Sequence, residues 1–279
     1  MRAWAFSAGE ISASSMLMQG KGPWTHGHRA SLTCILVERP EGLVLIDTGW
    51  GSPTVRSPRD YPGLLFKFTA GRAVATHEMT ALGRVLSLGF SPEQVTDIVL
   101  THMDIDHVGG LVDFPRARVH VASAELAARF QRQQPFRSRI HDSRKAFEHA
   151  PRFQVAELVD HRALGFVRSA DLFGDGTITF LDAWGHTPGH CAVAVNIGGQ
   201  TLVHAGDAFV HHAELLGEES LPLGVRLYRK ILHENKPAAH AALVRLRALH
   251  GEGQATIINA HDASFLDQLP AFPAPLFSS

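Results

Sequence analysis

Thr101-His102-Met103-Asp104-Ile105-Asp106-His107-Val108-Gly109-Gly110 places four potential metal ligands, His102, Asp104, Asp106 and His107, on one short stretch. It follows Asp97-Ile98-Val99-Leu100, an apolar, β-branched run that reads as a buried strand. Imidazoles and carboxylates crowded at a strand end repel one another and resist desolvation. One or two divalent cations turn that repulsion into coordination. The plain alternative is a solvated polar turn, and the recurrence of matching residues at the ends of later strand-like runs argues against it.

Upstream, Ser31 to Glu38 and Leu43 to Asp47 read as strands joined by the turn Arg39-Pro40-Glu41-Gly42. The second ends in Asp47-Thr48-Gly49, where Asp47 is either a turn cap or a partner that orients a metal-bound imidazole. Downstream, a strand from Thr177 to Ala183 leads into Trp184-Gly185-His186-Thr187-Pro188-Gly189-His190. Gly and Pro fix this turn, so that one His is held toward the site while the other packs behind it. A hairpin from Cys191 to Ala205 ends in Gly206-Asp207, and a last strand, Ala255 to Ala260, ends at His261-Asp262.

Between these strands the pattern expects helices over His77–Leu88, Ser123–Arg132 with a Ser cap, and Pro237–His250 with Ala239, Leu243, Leu246 and Leu249 facing inward. Ser91-Pro92-Glu93-Gln94 carries the capping-box pattern of a further short helix. Irregular insertions are expected near 52–76, 133–168 and 208–236 of a single domain spanning 1–279. His141, His149 and His161 fall in the second and are expected in loop or surface roles. Strands alternating with helices, with polar residues at strand ends, argue for an α/β fold of two packed sheets covered by helices, with one site at the sheet edge.

The 279 residues are 45% hydrophobic, enough for a full core, and the net charge of −1 offers no basic field for nucleic acid or an anionic membrane. A small-molecule substrate fits this balance. The two cysteines, Cys34 and Cys191, lie in strand-like runs and are expected as core residues of a cytoplasmic protein. No signal peptide or membrane-spanning run is evident. The apolar residues of Tyr61-Pro62-Gly63-Leu64-Leu65-Phe66 and Leu221-Pro222-Leu223 are open to three readings: a pocket wall, a cover for the core, or a homodimer contact.

Together these residues resemble the metallo-β-lactamase superfamily from Leu45-Ile46-Asp47-Thr48-Gly49 to His261. The family motif is His-x-His-x-Asp-His, then a His after a Gly-rich turn, an Asp after a strand and a late His. The matching positions are His102, Asp104, Asp106, His107, His190, Asp207 and His261. The resemblance implies an αββα sandwich, two mixed sheets flanked by helices, and a centre of two divalent ions, zinc first, with Mn or Fe as alternatives. By analogy His102, Asp104 and His190 would hold one ion, Asp106, His107 and His261 the other, and Asp207 would bridge them. It also implies a hydrolase of the lactonase-like branch, in which a metal-bound hydroxide attacks a small ester, lactone or similar acyl carbon and Asp106 orients the nucleophile and passes a proton.

Two departures qualify this. Asp104 stands where the motif has its second His, which would lower the charge of the ligand shell by one, acidify bound water less and suit a harder ion. The lactonase branch also offers a Tyr shortly after the bridging Asp, whereas Phe209-Val210-His211-His212 follows Asp207 here, leaving His211 or His212 as a substrate-binding or acid group. Phosphodiester or phosphotriester hydrolysis and iron-dependent oxidoreduction are alternatives on the same fold. A metal-holding protein without catalysis is the alternative from another class.

Overall fold

A computed structural model describes residues 1–24, 27–58, 61–131, 142–149, 151–218 and 220–278. His141 and the start of the second expected insertion lie outside the described residues.

Two mixed sheets face each other between helices, an αββα sandwich. The larger has eight strands in the order β13-β1-β2-β3-β5-β6-β7, with β4 pairing β1. Its members are β1 (Arg2–Ser14), β2 (Gly27–Arg39), β3 (Gly42–Ile46), β4 (Arg72–Val74), β5 (Val95–Val99), β6 (Arg118–Ala122), β7 (Arg152–Ala156) and β13 (Phe277–Ser278). The smaller has five: β8 (Ser169–Asp171), β9 (Ile178–Asp182), β10 (Cys191–Ile197), β11 (Gln200–His204) and β12 (Thr256–Ile258). Both mix orientations: β3, β5, β6 and β7 run parallel beside antiparallel β1–β2–β3, and β11–β12 is parallel beside the antiparallel β8 to β11.

Strand alternation divides the core in two. Ile35, Val37, Val44, Ile46 and Val99 face the smaller sheet and meet Phe180, Val193, Val195 and Leu202. Their neighbours Leu36, Leu43, Leu45 and Ile98 face the other way, with Trp4, Phe6 and Val85. Both faces of the larger sheet are covered, which is why its strands read as continuous apolar runs. Val85 comes from the helix Ala81–Ser87, capped by the Thr80 hydroxyl. The expected His77–Leu88 helix is thus divided, with a tighter turn at His77–Met79. The Ser91 capping box forms on a single 3₁₀ turn, Pro92–Gln94.

The helix Lys236–Gly251 lies against the smaller sheet through Ala239, Leu243, Leu246 and Leu249, with Asn235 accepting from the Ala238 amide. The expected Ser123 cap is different: Ser123 is the first residue of a helix ending at Arg129, and its hydroxyl donates to Glu157 instead. The opening strand β1 is absent from the sequence expectation because Ala3, Ala5 and Ala8 carry little hydropathy, and the register shift between Ser7 and Glu10 interrupts the two-residue period. The first insertion folds into the short helices Ser52–Arg56 and Leu64–Thr69 and edge strand β4; Tyr61 and Phe66 join the core, while Leu64, Leu65 and Phe68 face outward. The third insertion carries the helices His212–Leu216 and Leu223–Leu232.

Candidate metal centre

Strand β3 ends at Ile46 and β5 at Val99, paired in parallel up to those two residues, and Asp47 is the first residue after β3. This brings Asp47 beside the ligand-rich turn. One Asp47 oxygen accepts from the Thr101 amide at 2.9 Å; the other accepts from the Thr101 hydroxyl and from His107 Nδ1, both at 2.8 Å. His107 therefore carries its proton on Nδ1 and turns Nε2 inward. Burial raises the Asp47 pKa, but the His107 charge and hydrogen bond outweigh it and hold the carboxyl below its usual range.

Two groups of donor atoms meet on this floor. Asp106, His107 and His261 form one, and His102, His186 and Asp207 the other, each with its donor atoms within 4.8 Å of one another. Asp207 stands between them. Its Oδ1 is 3.3 Å from His107 Nε2 and 3.1 Å from His261 Nε2, and its Oδ2 is 3.4 Å from His186 Nε2. All six residues are buried.

Among the described residues no hydrogen bond of ordinary geometry reaches the buried His102 Nε2, His107 Nε2 or Asp207 Oδ1, although the last two lie 3.3 Å apart. Leaving such atoms unsatisfied costs on the order of 1–3 kcal/mol each. Nitrogen and carboxylate donors converging in two sets fit two divalent ions, each offered a mixed imidazole and carboxylate shell. Burial lowers the His107 pKa, but Asp207, Asp47 and Asp106 raise it well above the ordinary value; His261 is raised in the same way by Asp207 and Asp106.

The loop after β9 departs from the analogy. His190, expected as a ligand, has both ring nitrogens engaged by backbone: Nδ1 donates to the Ala183 carbonyl at 2.9 Å, and Nε2 accepts from the Asp207 amide at 2.9 Å. Burial and the neighbouring His102 lower its pKa to about 3, so the ring is neutral. It packs behind the site and holds the Asp207 backbone. His186 faces the donors instead, with Nε2 3.4 Å from both Asp104 Oδ2 and Asp207 Oδ2.

Glycines at both ends of the loop explain the swap. A Cβ on Gly185 would lie 2.2 Å from the Ala239 amide nitrogen, and one on Gly189 would lie 2.0 Å from that of Glu125. The loop is thus clamped between the helix Lys236–Gly251 and the helix beginning at Ser123.

Asp104 Oδ2 lies 3.5 Å from His102 Nε2, at the edge of the same group, and Asp104 Oδ1 is 3.2 Å from Arg129 Nη2. Three contributors escaped the sequence reading because each comes from a segment without a motif. Arg129 places a buried cation against Asp104. Glu125 accepts from the Met103 amide at 2.9 Å and the Gly189 amide at 3.2 Å, joining the two ligand-bearing loops. Tyr228, from the helix Leu223–Leu232, donates to Asp207 Oδ2 at 2.5 Å and stacks on His186 at 5.7 Å between ring centres. A phenol thus meets Asp207 from further along the chain.

His211 and His212 do not join either buried group; they gather with Asp262 in a third, half-buried set. Among the described histidines of the second insertion, His161 meets Ser169 and His149 is half-buried, and neither belongs to a ligand set. Cys34 and Cys191 are buried free thiols whose pKa values burial pushes up, in keeping with core packing.

The chain is 34% identical to the probable metallo-hydrolase Rv2300c of Mycobacterium tuberculosis over 237 residues, 82% of this chain and 73% of that one. It is 27% identical to the N-acyl homoserine lactonase AttM of Azorhizobium caulinodans over 58% of each chain. Among solved structures, an N-acyl homoserine lactone hydrolase with the product N-hexanoyl-L-homoserine at its catalytic metal centre superposes with a TM-score of 0.69, at 18% identity over 98% of both chains. The dizinc quorum-quenching lactonase AidC superposes at 0.62, with 19% identity over 93% of this chain and 86% of that one. The metallo-β-lactamase superfamily model matches residues 31–252, which hold every donor of the two buried groups except His261, and the chain belongs to that superfamily.

Proposed function

We propose that this protein is a metal-dependent hydrolase that cleaves a small acyl substrate, an ester or a lactone, at a centre of two divalent ions. The observation that carries this reading is the pair of buried donor groups meeting at Asp207. Zinc is the ion proposed, since borderline divalent ions suit imidazole with carboxylate. Bound ions would polarise the acyl oxygen and acidify a water molecule.

In this proposal His102, His186 and Asp207 hold one ion, with Asp104 at its margin, and Asp106, His107 and His261 hold the other. His190 is a positioning residue: it fixes the Asp207 backbone and contributes no donor. Asp106 orients the attacking water and moves its proton toward the leaving oxygen. The Tyr228 hydroxyl, held against Asp207, is placed to donate to the substrate oxygen.

A small-molecule substrate agrees with the near-neutral charge, and no described helix is long and apolar enough to cross a membrane. The test is elemental analysis of protein purified without chelator, followed by assay on a panel of esters, lactones and phosphoesters. About two ions per chain, with acyl turnover lost on chelation and restored by zinc, is the expected result. Bound metal without turnover on any member of the panel would sink the hydrolase reading.

A further inference from the structure

Outside the buried centre, His211, His212 and Asp262 place their donor atoms within 4.8 Å of one another. The two imidazoles stack, with ring centres 4.2 Å apart and planes 30° from parallel. His212 Nδ1 lies 2.8 Å from Asp262 Oδ2. That hydrogen bond already holds one imidazole nitrogen against the carboxylate, and a bound ion would take the place of its proton.

We infer that His211, His212 and Asp262 form a third cation site, one that takes a borderline divalent ion such as Co²⁺, Ni²⁺ or Zn²⁺ with water completing the shell. Two imidazoles and one carboxylate select such ions over calcium or magnesium. The surroundings prepare the carboxylate. Asp262 Oδ1 accepts from the Ser264 amide and hydroxyl, while Oδ2 accepts from the His212 amide at 2.7 Å, so the group is oriented from both sides before any ion arrives. The side chains are accessible: His212 is 42% exposed and Asp262 12%. Ligation through His211 Nδ1 would displace its 3.2 Å contact with the Ala213 amide, the weakest bond in the set.

The site joins two segments that matter to the buried centre. His211 and His212 follow Asp207 closely, and Asp262 directly follows His261. An ion here would tie the chain leaving Asp207 to the chain leaving His261. This consequence rests on the proposed ligand assignment, whereas the existence of the site does not.

The experiment compares Co²⁺ binding by the full-length wild-type chain, an H211N/H212N variant and a D262N variant. Equilibrium dialysis gives the stoichiometry, and diffraction at the cobalt edge gives the positions. Wild type is expected to take one equivalent more than either variant, with the extra ion lost first on dialysis and an anomalous peak between the three side chains. Equal stoichiometry in all three proteins, or extra cobalt with no peak there, overturns the proposal. Because the readout is a difference between proteins, it holds whether the buried centre takes two ions or fewer. Circular dichroism of the variants separates loss of the site from loss of the fold, and D262N retains a capping side chain.

Discussion

Arg129 Nη2 lies 3.2 Å from Asp104 Oδ1 and 2.6 Å from the Met103 carbonyl, so the carboxylate that replaces an imidazole in the ligand motif comes with its own buried cation. The ligand shell loses one unit of charge at Asp104, and the guanidinium restores it nearby. On charge alone the site is close to one with His at that position.

Replacing Arg129 with Met should therefore remove a buried cation that meets the Asp104 carboxylate and destabilise the metal-free protein by about 3–5 kcal/mol in chemical denaturation. Asp104→His alone should remove the carboxylate that offsets Arg129 beside the metal ions and weaken metal retention about tenfold or more against a chromophoric chelator. The double variant D104H/R129M should recover most of that loss. Additive losses in the double variant would show that the two side chains are not coupled.

His186→Ala should remove about one metal equivalent, and its cost to the metal-free protein should be only that of the cavity the buried ring leaves, since His186 is proposed as a donor rather than a brace. His190→Ala should cost more stability. It orphans the Asp207 amide and leaves a cavity, costing about 2–4 kcal/mol, while H190Q, which keeps an acceptor, should retain the metal. Elemental analysis and denaturation on the same samples distinguish the two; metal loss in H190Q but not in H186A would reverse the assignment.

His190 also makes a pH prediction. Its folded pKa is lowered to about 3 from an ordinary 6.5, so the stability of its neutral form is fully present above pH 6.5 and is lost as pH falls toward 3. The stability advantage of wild type over H190Q, measured with chelator, should be constant above pH 7. It should shrink by about 2 kcal/mol by pH 5, at about 1.4 kcal/mol per pH unit. A difference that stays flat across this range would mean the imidazole is not held neutral.

Tyr228→Phe removes only the hydroxyl that meets Asp207. Metal content should be unchanged, and kcat on the best acyl substrate should fall about 10- to 100-fold with a smaller change in KM. A drop in bound metal equal to the drop in rate would instead make Tyr228 a support for Asp207.

The Thr101–Gly110 stretch determined its own part of the site. A buried strand running into a tight turn leaves His102, Asp106 and His107 no other place than the strand end, and the parallel pairing of β3 with β5 carries Asp47 to the same edge. The apolar runs likewise determined the two-sheet sandwich, because continuous β-branched stretches are stable only when covered on both faces. Whether His186 or His190 faces the donors could not follow from spacing, since both lie in one Gly-Pro turn. Contacts from the distant elements at Ala239 and Glu125 decide it, by pressing on Gly185 and Gly189 where no side chain fits. Arg129 and Tyr228 reach the centre in the same way, from helices whose local sequence carries no metal-binding signal; only the packing of the chain brings their charge and hydroxyl to Asp104 and Asp207.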